Sequence, residues 1–163
     1  MKELKGRVWK FEDNVNTDLI APGQYLDAPI DEVINHIFEN IRPGFVKEVQ
    51  KGDIIIAGNN FGCGSSRENA PEALKKVGVE CIVAQSFARI FFRNAIAIGL
   101  PVVICRGVSS SFNDGDIASV DVREAIVKNI SKGVEARGEV FSSEILSIVE
   151  SGGILEKLKS IKV

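Results

Sequence analysis

Short apolar runs alternate with segments of helical spacing along the first two thirds of the chain. Apolar runs bounded by glycine, proline or charge are typical of buried strands, and they occupy residues 6–11, 53–58, 79–85 and 101–105. Helical spacing of apolar residues is seen in the segments between them, namely residues 31–40, a segment that ends near Lys76, and residues 87–98. Strands that alternate with helices predict a partly parallel sheet covered by helices.

The pattern changes after about residue 113. Three shorter segments, ASVDV, AIVKNI and VEARGEV, are separated by turns and predict small antiparallel strands. Residues 141–160 predict an amphipathic helix with Ser142 or Ser143 as its cap and a break near Gly152–Gly153. The whole pattern predicts one α/β domain over residues 1–163, with three layers around a partly parallel sheet and additional small antiparallel strands.

Composition and charge narrow the class of protein. Of the 163 residues, 45% are hydrophobic and 26% are charged, and the net charge is −2. A charge this small gives no electrostatic reason to expect nucleic acid or an anionic membrane as a partner. No apolar run approaches the roughly 20 residues of a membrane span, and the N-terminal segment has no apolar signal region. We therefore expect a cytoplasmic protein that binds neither nucleic acid nor membrane.

The cysteines and the single histidine suggest no metal site. Cys63, Cys81 and Cys105 are odd in number and widely spaced, which fits neither a disulfide framework nor a metal knuckle. Cys81 and Cys105 lie in strand patterns and are predicted core residues, whereas Cys63 lies in a glycine-rich turn. His36 flanks the apolar face of a predicted helix, so we expect an ordinary surface residue.

The glycine-rich turn belongs to the run NNFGCGSSRENAPEAL, residues 59–74. Proline is tolerated only in the first turn of a helix, so Pro71 predicts that the following helix begins near Arg67 or Glu68. The turn directly follows a predicted strand. Ligands of open α/β sheets bind at the carboxyl ends of strands, so the turn is a candidate site.

Two serines and an arginine in this turn predict a carboxylate site. Ser65 and Ser66 fall at the expected helix N-terminus, where unpaired N–H groups and the macrodipole favour negative charge. The planar guanidinium of Arg67 matches a carboxylate. Serine is also a common helix cap and glycine a common turn residue, so a purely structural turn is the alternative at this point.

Several familiar motifs are excluded. No lysine lies between Asp53 and Glu72, so the turn is not a phosphate-binding P-loop. Glu68 occupies the second glycine position of GxSxG, which excludes a nucleophile elbow. A cysteine or serine nucleophile would want a histidine base, and the position of His36 gives no support for one.

Three segments in order resemble one protein family. DNVNTDLIAPGQYL, NNFGCGSSRENAPEAL and SFARIFFRNAIAIGLP closely resemble the signature regions of the small subunit of 3-isopropylmalate dehydratase, in the aconitase superfamily. The resemblance implies a swivelling β/β/α domain that caps a large subunit, as a heterodimer or heterotetramer. It implies no cofactor in this chain and a [4Fe–4S] cluster in the large subunit, and the cysteine spacing here agrees. A lone small subunit should be inactive.

The resemblance also implies a reaction and a role for each matched residue. A hydro-lyase of this kind exchanges 2-isopropylmalate and 3-isopropylmalate, which are dicarboxylates, by dehydration and rehydration in leucine biosynthesis. Ser65 matches the base that takes a C–H proton as an alkoxide. Asp18 matches an active-site acid, although an aspartate in NTD is otherwise typical of a turn cap. The matched substrate-binding positions are Ser66, Arg67, Gly62, Gly64, Tyr25, Leu26 and Asp27.

Two positions depart from the family pattern. Asn69 stands where histidine is usual, and its amide can hydrogen-bond but cannot titrate. Asp27 stands in the loop that helps to select the substrate's variable group, and its charge argues against the third carboxylate of homoaconitate or citrate. Asp27 is also a poor contact for an isopropyl group, unless Leu26 and Ile30 make that contact and Asp27 points to solvent. A small-methyl substrate such as citramalate or dimethylmalate stays open. A non-catalytic, carboxylate-sensing swivel domain is the rival hypothesis.

Overall fold

A curled mixed sheet forms the centre of the computed structural model, which describes residues 3–161. Its strands are β1 (Leu4–Lys10), β2 (Ile54–Ala57), β3 (Cys81–Ala84), β4 (Val102–Ile104), β5 (Ile117–Asp121), β6 (Ile126–Asn129) and β7 (Val134–Arg137). Within the described residues they form one seven-stranded sheet in the order β4-β3-β2-β1-β5-β6-β7.

Strands β1 to β4 run parallel and form the buried half of the sheet. Val8 of β1 lies opposite Ile54, and Ile82 lies opposite Val102. Every residue of β2 and β3 is buried, because one face of these strands packs on helices and the other on the antiparallel strands. The predicted partly parallel sheet is confirmed. Three of its strands are shorter than predicted, and β1 begins two residues earlier.

Strands β5, β6 and β7 are antiparallel, and β5 pairs with β1. They confirm the small antiparallel strands that the segments after residue 113 predict. The sheet curls until its two ends meet, since the Glu139 N–H, just after β7, donates to the Ile104 carbonyl of β4 at 2.8 Å. One core cluster fills the inside of the curl and includes Cys81 and Cys105, as predicted.

Helices cover the outer face of the parallel strands and enclose a second core cluster. The α-helices of the described chain are α1 (Thr17–Ile20), α2 (Ile30–Val33), α3 (Phe45–Glu48), α4 (Asn69–Val77), α5 (Arg89–Ala97), α6 (Ser143–Glu150) and α7 (Ile154–Ser160). Antiparallel strands, parallel strands and helices give the three predicted layers. Within residues 3–161, no helix has the length and apolar character that crossing a membrane would require.

The helix predicted over residues 31–40 is wrong in its second half. Helix α2 ends at Val33 and a single 3-10 turn follows it. Phe38 then adopts a left-handed backbone with φ 57°. Its ring packs against Phe11 and Phe45, with ring centroids 4.3 and 4.9 Å away. Burial of this aromatic side chain outweighs the local helical spacing.

The C-terminal helices confirm the predicted cap and break. Ser142 caps α6, and its Oγ accepts a hydrogen bond from the Ile145 N–H at 3.3 Å. Gly153 lies between α6 and α7 with φ 125°, and a Cβ there would lie 2.7 Å from the Ala97 carbonyl oxygen. Glycine is needed here because α7 starts directly against the end of α5.

Candidate active site

Two loops meet where the adjacent parallel strands β1 and β2 end. We call them the N-terminal loop and the glycine-rich loop, and they comprise residues 12–18 and 59–67. The Gly62 N–H donates to the Val15 carbonyl at 2.7 Å, and the Thr17 N–H donates to the Cys63 carbonyl at 2.8 Å. Parallel strands end at the same edge of a sheet, so segments far apart in sequence form one site there.

The glycine-rich loop is also fixed by the segment after β3. The Phe61 N–H donates to the Ser86 carbonyl at 3.0 Å, and the Ala88 N–H donates to the Phe61 carbonyl at 2.9 Å. Gly62 is buried with φ 83°, and a Cβ there would lie 2.2 Å from Phe91 Cγ. The close approach that glycine permits at this position is therefore to the protein's own helix α5.

The two serines are exposed and precede the helix instead of capping it. Neither the hydroxyls nor the backbone N–H groups of Ser65 and Ser66 donate to another group in residues 3–161. Helix α4 begins at Asn69 after Glu68, which makes no side-chain cap. Glu68 already has helical backbone angles, with φ −67° and ψ −26°, which agrees with the start near Arg67 or Glu68 that Pro71 predicts. Pro71 lies in the first turn, as predicted.

Asp18 and Arg67 form an ion pair between the two loops. Arg67 Nη1 lies 3.1 Å from Asp18 Oδ1 and donates to the Ala21 carbonyl at 2.9 Å. The Gly23 N–H donates to the same Asp18 oxygen at 2.8 Å. The Gly23 N–H first, and the Arg67 guanidinium second, hold the pKa of Asp18 below its ordinary value. Asp18 is therefore an ionised acceptor at neutral pH, and it contacts Arg67 as well as its own turn.

Some N–H groups of the Arg67 guanidinium have no hydrogen-bond partner in the described residues. Its side chain is 14% exposed, and its buried Nε has no hydrogen-bond partner in the described residues. Because Nη1 is occupied, Nε and Nη2 form the edge that matches the two oxygens of a carboxylate. Leaving a buried donor unpaired costs about 1–3 kcal/mol. This arrangement suits a site that a ligand carboxylate completes.

Tyr25, Leu26 and Asp27 follow Gly23, and we call them the recognition loop after the role that the family resemblance predicts for them. Tyr25 stacks on His36 with ring centroids 3.7 Å apart, and His36 Nδ1 lies 2.7 Å from Glu39 Oε2. His36 reaches the surface, as predicted, but this stacking leaves its side chain only 27% exposed. Leu26 is 50% exposed. Asp27 is exposed and makes no hydrogen bond or ion pair within residues 3–161.

The cysteines do not fit an iron–sulfur cluster. In the described part of the chain, no three His, Cys, Asp or Glu side chains are arranged to hold a metal ion. Cys81 and Cys105 are buried, and burial raises the pKa of both thiols, whereas cluster ligands are thiolates. Cys63 is half-buried in the glycine-rich loop, apart from the other two.

Three contributors to the site are not predicted by sequence reasoning. The hydroxyl of Thr17, which is 3% exposed, donates to the Ser65 carbonyl at 2.9 Å. Ala21 and Gly23 supply the backbone groups that bind the Asp18–Arg67 pair. Ala21 has no sequence signal beyond its closeness to Asp18, because a backbone hydrogen bond does not constrain the side-chain type. Gly23 is constrained, since a Cβ there would lie 3.0 Å from Asp18 Oδ1 and 3.1 Å from Arg67 Nη2.

Known proteins share this sequence and fold. Residues 43–106 match the model of the aconitase C-terminal domain. The methanogen homoaconitase small subunit of Methanothermobacter thermautotrophicus is 52% identical, over 97% of this chain and 92% of that protein. The 3-isopropylmalate dehydratase small subunit of a Hydrogenobaculum species is 49% identical, over 96% of each. The isopropylmalate/citramalate isomerase small subunit of Methanocaldococcus jannaschii is 45% identical, over 96% of this chain and 94% of that protein.

A solved structure points to the same proteins as the sequence comparisons. The crystal structure of 3-isopropylmalate dehydratase from Methanocaldococcus jannaschii matches with a TM-score of 0.91 and 40% identity, over 97% of this chain and 94% of that one. Fold and paired loops thus define an α/β domain of the aconitase type. The chain belongs to the family of 3-isopropylmalate dehydratase small subunits, which are components of hydro-lyases. The resemblance of the three signature segments is confirmed.

Proposed function

We propose that this chain is the catalytic small subunit of a hydro-lyase that interconverts 2-isopropylmalate and 3-isopropylmalate in leucine biosynthesis. One observation carries the proposal: the N-terminal and glycine-rich loops are paired. Their pairing brings Asp18 and Arg67 into contact beside the exposed Ser65 and Ser66. Relatives that are 49% and 46% identical are named 3-isopropylmalate dehydratase small subunits, which supports the same substrate here. The relative that is 52% identical is named a homoaconitase small subunit, so the choice between the two substrates rests on the recognition loop.

Ser65 is the proposed base. It takes a proton from the substrate carbon beside a carboxylate and returns a proton when water is added again. Serine is a weak acid, so its alkoxide requires positive potential. The unpaired N–H groups of Ser65 and Ser66 and the nearby Arg67 guanidinium supply that potential. The dipole of α4, whose helical backbone angles start at Glu68, adds to it.

Arg67 and Ser66 are the proposed carboxylate ligands. The free Nε–Nη2 edge of Arg67 binds two carboxylate oxygens, and the exposed Ser66 hydroxyl donates to one of them. Asp18 accepts from Nη1 and so keeps that edge directed away from itself. Because Asp18 is ionised, its proposed role is to orient Arg67 rather than to donate a proton.

A large subunit is the proposed partner, as the relatives' names imply. Since the cysteines of this chain do not fit a [4Fe–4S] cluster, we expect the cluster in that large subunit. Residues 1–163 would act as one swivelling domain in a heterodimer or heterotetramer. Proton transfer and carboxylate binding are the steps we assign to this chain.

The recognition loop supports isopropylmalate over a tricarboxylate. The exposed carboxylate of Asp27 has no cationic partner within residues 3–161, so it would repel a third substrate carboxylate. Leu26 offers an exposed apolar side chain for an isopropyl group. The same side chain would contact the methyl group of citramalate or dimethylmalate, and one relative is named for isopropylmalate and citramalate together. Homoaconitate, from the name of another relative, is the less favoured alternative.

Reconstitution with the large subunit tests the proposal. Ser65→Ala should lower kcat for 2-isopropylmalate by at least about 1,000-fold. Ser143→Ala is the matched control, because Ser143 is exposed at the start of α6 and far along the chain from both loops. Near-normal turnover by the Ser65→Ala enzyme would contradict the assignment of the base. Dicarboxylate binding by a wild-type pair that turns over no substrate would favour the carboxylate sensor.

A further inference from the structure

Thr17 is buried beside the proposed base. Its hydroxyl donates to the Ser65 carbonyl at 2.9 Å, and its N–H donates to the Cys63 carbonyl at 2.8 Å. It is the only threonine in the chain. We propose that Thr17 is a positioning residue for the reaction, whose hydroxyl fixes the orientation of the peptide group between Ser65 and Ser66. The inference rests on the proposed function, in which Ser65 is the base.

Thr17 is itself held firmly in place. It is the first residue of α1, and Asn16 caps this helix by accepting from the Leu19 N–H at 2.8 Å. The Thr17 carbonyl accepts from the Ala21 N–H at 2.9 Å. A β-branched side chain also has few accessible rotamers. The hydroxyl is therefore a fixed donor rather than a freely rotating one.

Gly64 allows the glycine-rich loop to turn around the Thr17 side chain. Gly64 has φ 97°, and a Cβ there would lie 3.5 Å from both Thr17 Oγ1 and Asn16 Cβ. Thr17 binds the carbonyl groups of the residues on both sides of this glycine. Its N–H donates to the Cys63 carbonyl, and its hydroxyl donates to the Ser65 carbonyl. Two anchors so close in sequence leave the peptide group after Ser65 little freedom to rotate.

Fixing the Ser65 carbonyl also fixes the next N–H. The peptide is trans, so the Ser65 C=O and the Ser66 N–H point in opposite directions. Because the carbonyl is directed at Thr17, the Ser66 N–H is directed away from Thr17, and it donates to no group in residues 3–161. An N–H fixed in advance stabilises negative charge without reorganisation during the reaction. Thr17 thus acts on the charge through the backbone and does not touch the substrate.

Substitutions in the holoenzyme test this role. Thr17→Val keeps the β-branched shape and the backbone N–H but loses the hydroxyl, and we expect kcat to fall about 10–100-fold. KM should stay within about threefold of the wild-type value, because the carboxylate ligand Arg67 is unchanged. Thr17→Ser keeps the hydroxyl and should retain kcat within about threefold. A purely structural role would not produce this rescue together with an unchanged KM.

A second substitution distinguishes an error in the Thr17 inference from an error in the proposed function. Ser65→Ala, measured in the same preparation, must abolish turnover if Ser65 is the base. An inactive Ser65→Ala enzyme alongside a fully active Thr17→Val enzyme would overturn the Thr17 inference alone. If Thr17→Val does not assemble with the large subunit, Thr17→Ala is measured instead. A wild-type kcat of the Thr17→Ala enzyme would likewise overturn the Thr17 inference. A Thr17→Ser enzyme as slow as Thr17→Val would also overturn the inference.

Discussion

The glycine-rich loop and the recognition loop lie close together in the fold but are built differently. The glycine-rich loop is bound on one side to the N-terminal loop and on the other to the segment after β3, through backbone hydrogen bonds. The recognition loop exposes Leu26 and Asp27, and of its three side chains only Tyr25 is packed, on His36. One loop is fixed by its backbone, whereas the other presents side chains to solvent.

This difference is the one that the proposed division between chemistry and substrate choice would require. A reacting group must be held in one geometry, because a displacement of about 1 Å can cost about 100-fold in rate. A residue that selects a substituent needs only the right charge and size. Substitutions in the glycine-rich loop should therefore change turnover or stability, and substitutions in the recognition loop should change substrate preference.

After Ser65→Ala, the largest effect is expected from Arg67→Lys. A lysine cannot replace the bidentate edge or the contact with the Ala21 carbonyl, so kcat/KM should fall about 100–1,000-fold. Arg106→Lys is the matched control, because Arg106 is exposed after β4. Steady-state kinetics of the reconstituted enzyme measures both variants. Equal activity of the two variants would show that bidentate binding by the Arg67 guanidinium does not contribute to the reaction.

Gly62→Ala should have the next largest effect, and it tests the rigidity of the glycine-rich loop. An added Cβ meets Phe91 Cγ at 2.2 Å, so we expect a loss of about 3 kcal/mol in the free energy of unfolding. Gly64→Ala also places alanine at positive φ but meets its neighbours only at 3.5 Å, so the loss should be about 1 kcal/mol. Urea unfolding of the chain measures both. Equal losses would contradict the tight packing at Gly62.

Asp27→Arg should change substrate preference with little change in stability. Replacing the negative charge by a guanidinium should raise kcat/KM for cis-homoaconitate relative to 2-isopropylmalate by about 10–100-fold. Asp31→Arg makes the same change of charge nearby, on the exposed first turn of α2. If both variants shift preference equally, the effect is one of overall charge, and the recognition loop does not contact the substrate.

The smallest effect concerns Asp18 and pH. Its pKa is lowered in the folded chain, so the stabilisation is present above the ordinary carboxyl pKa and is lost as the pH falls through the lowered value. Because Asp18 is 59% exposed, we expect Asp18→Asn to cost less than about 1 kcal/mol at pH 6. The difference from wild type in urea unfolding should shrink towards about pH 3. A difference that is independent of pH would rule out the ion pair as its source.

Much of the fold can be predicted from the sequence because burial leaves a strong pattern. Both the parallel strands and the three antiparallel strands follow from apolar runs between turn residues. The helix over 31–40 fails because Phe38 is held by Phe11 and Phe45, and such distant partners leave no local signal.

The candidate site is only partly predictable. The glycine-rich motif points to Ser65, Ser66 and Arg67, whereas only the family resemblance points to Asp18, since an aspartate in NTD is otherwise typical of a turn cap. The sequence does not indicate that Asp18 pairs with Arg67 or that Thr17 binds the Ser65 carbonyl. Those contacts join residues almost fifty positions apart, and they exist only because β1 and β2 end at the same edge of the sheet.

Hydrogen exchange at the substrate carbon tests the central claim most directly. The reconstituted enzyme is incubated with 3-isopropylmalate in D2O. Loss of the C–H signal of the carbon that carries the isopropyl group, which is the proton removed in dehydration, is followed by NMR. If Ser65 abstracts this proton, wild-type and Ser143→Ala enzymes should incorporate deuterium, and Ser65→Ala should do so at least about 1,000-fold more slowly. Exchange by the Ser65→Ala enzyme at the wild-type rate would contradict the account.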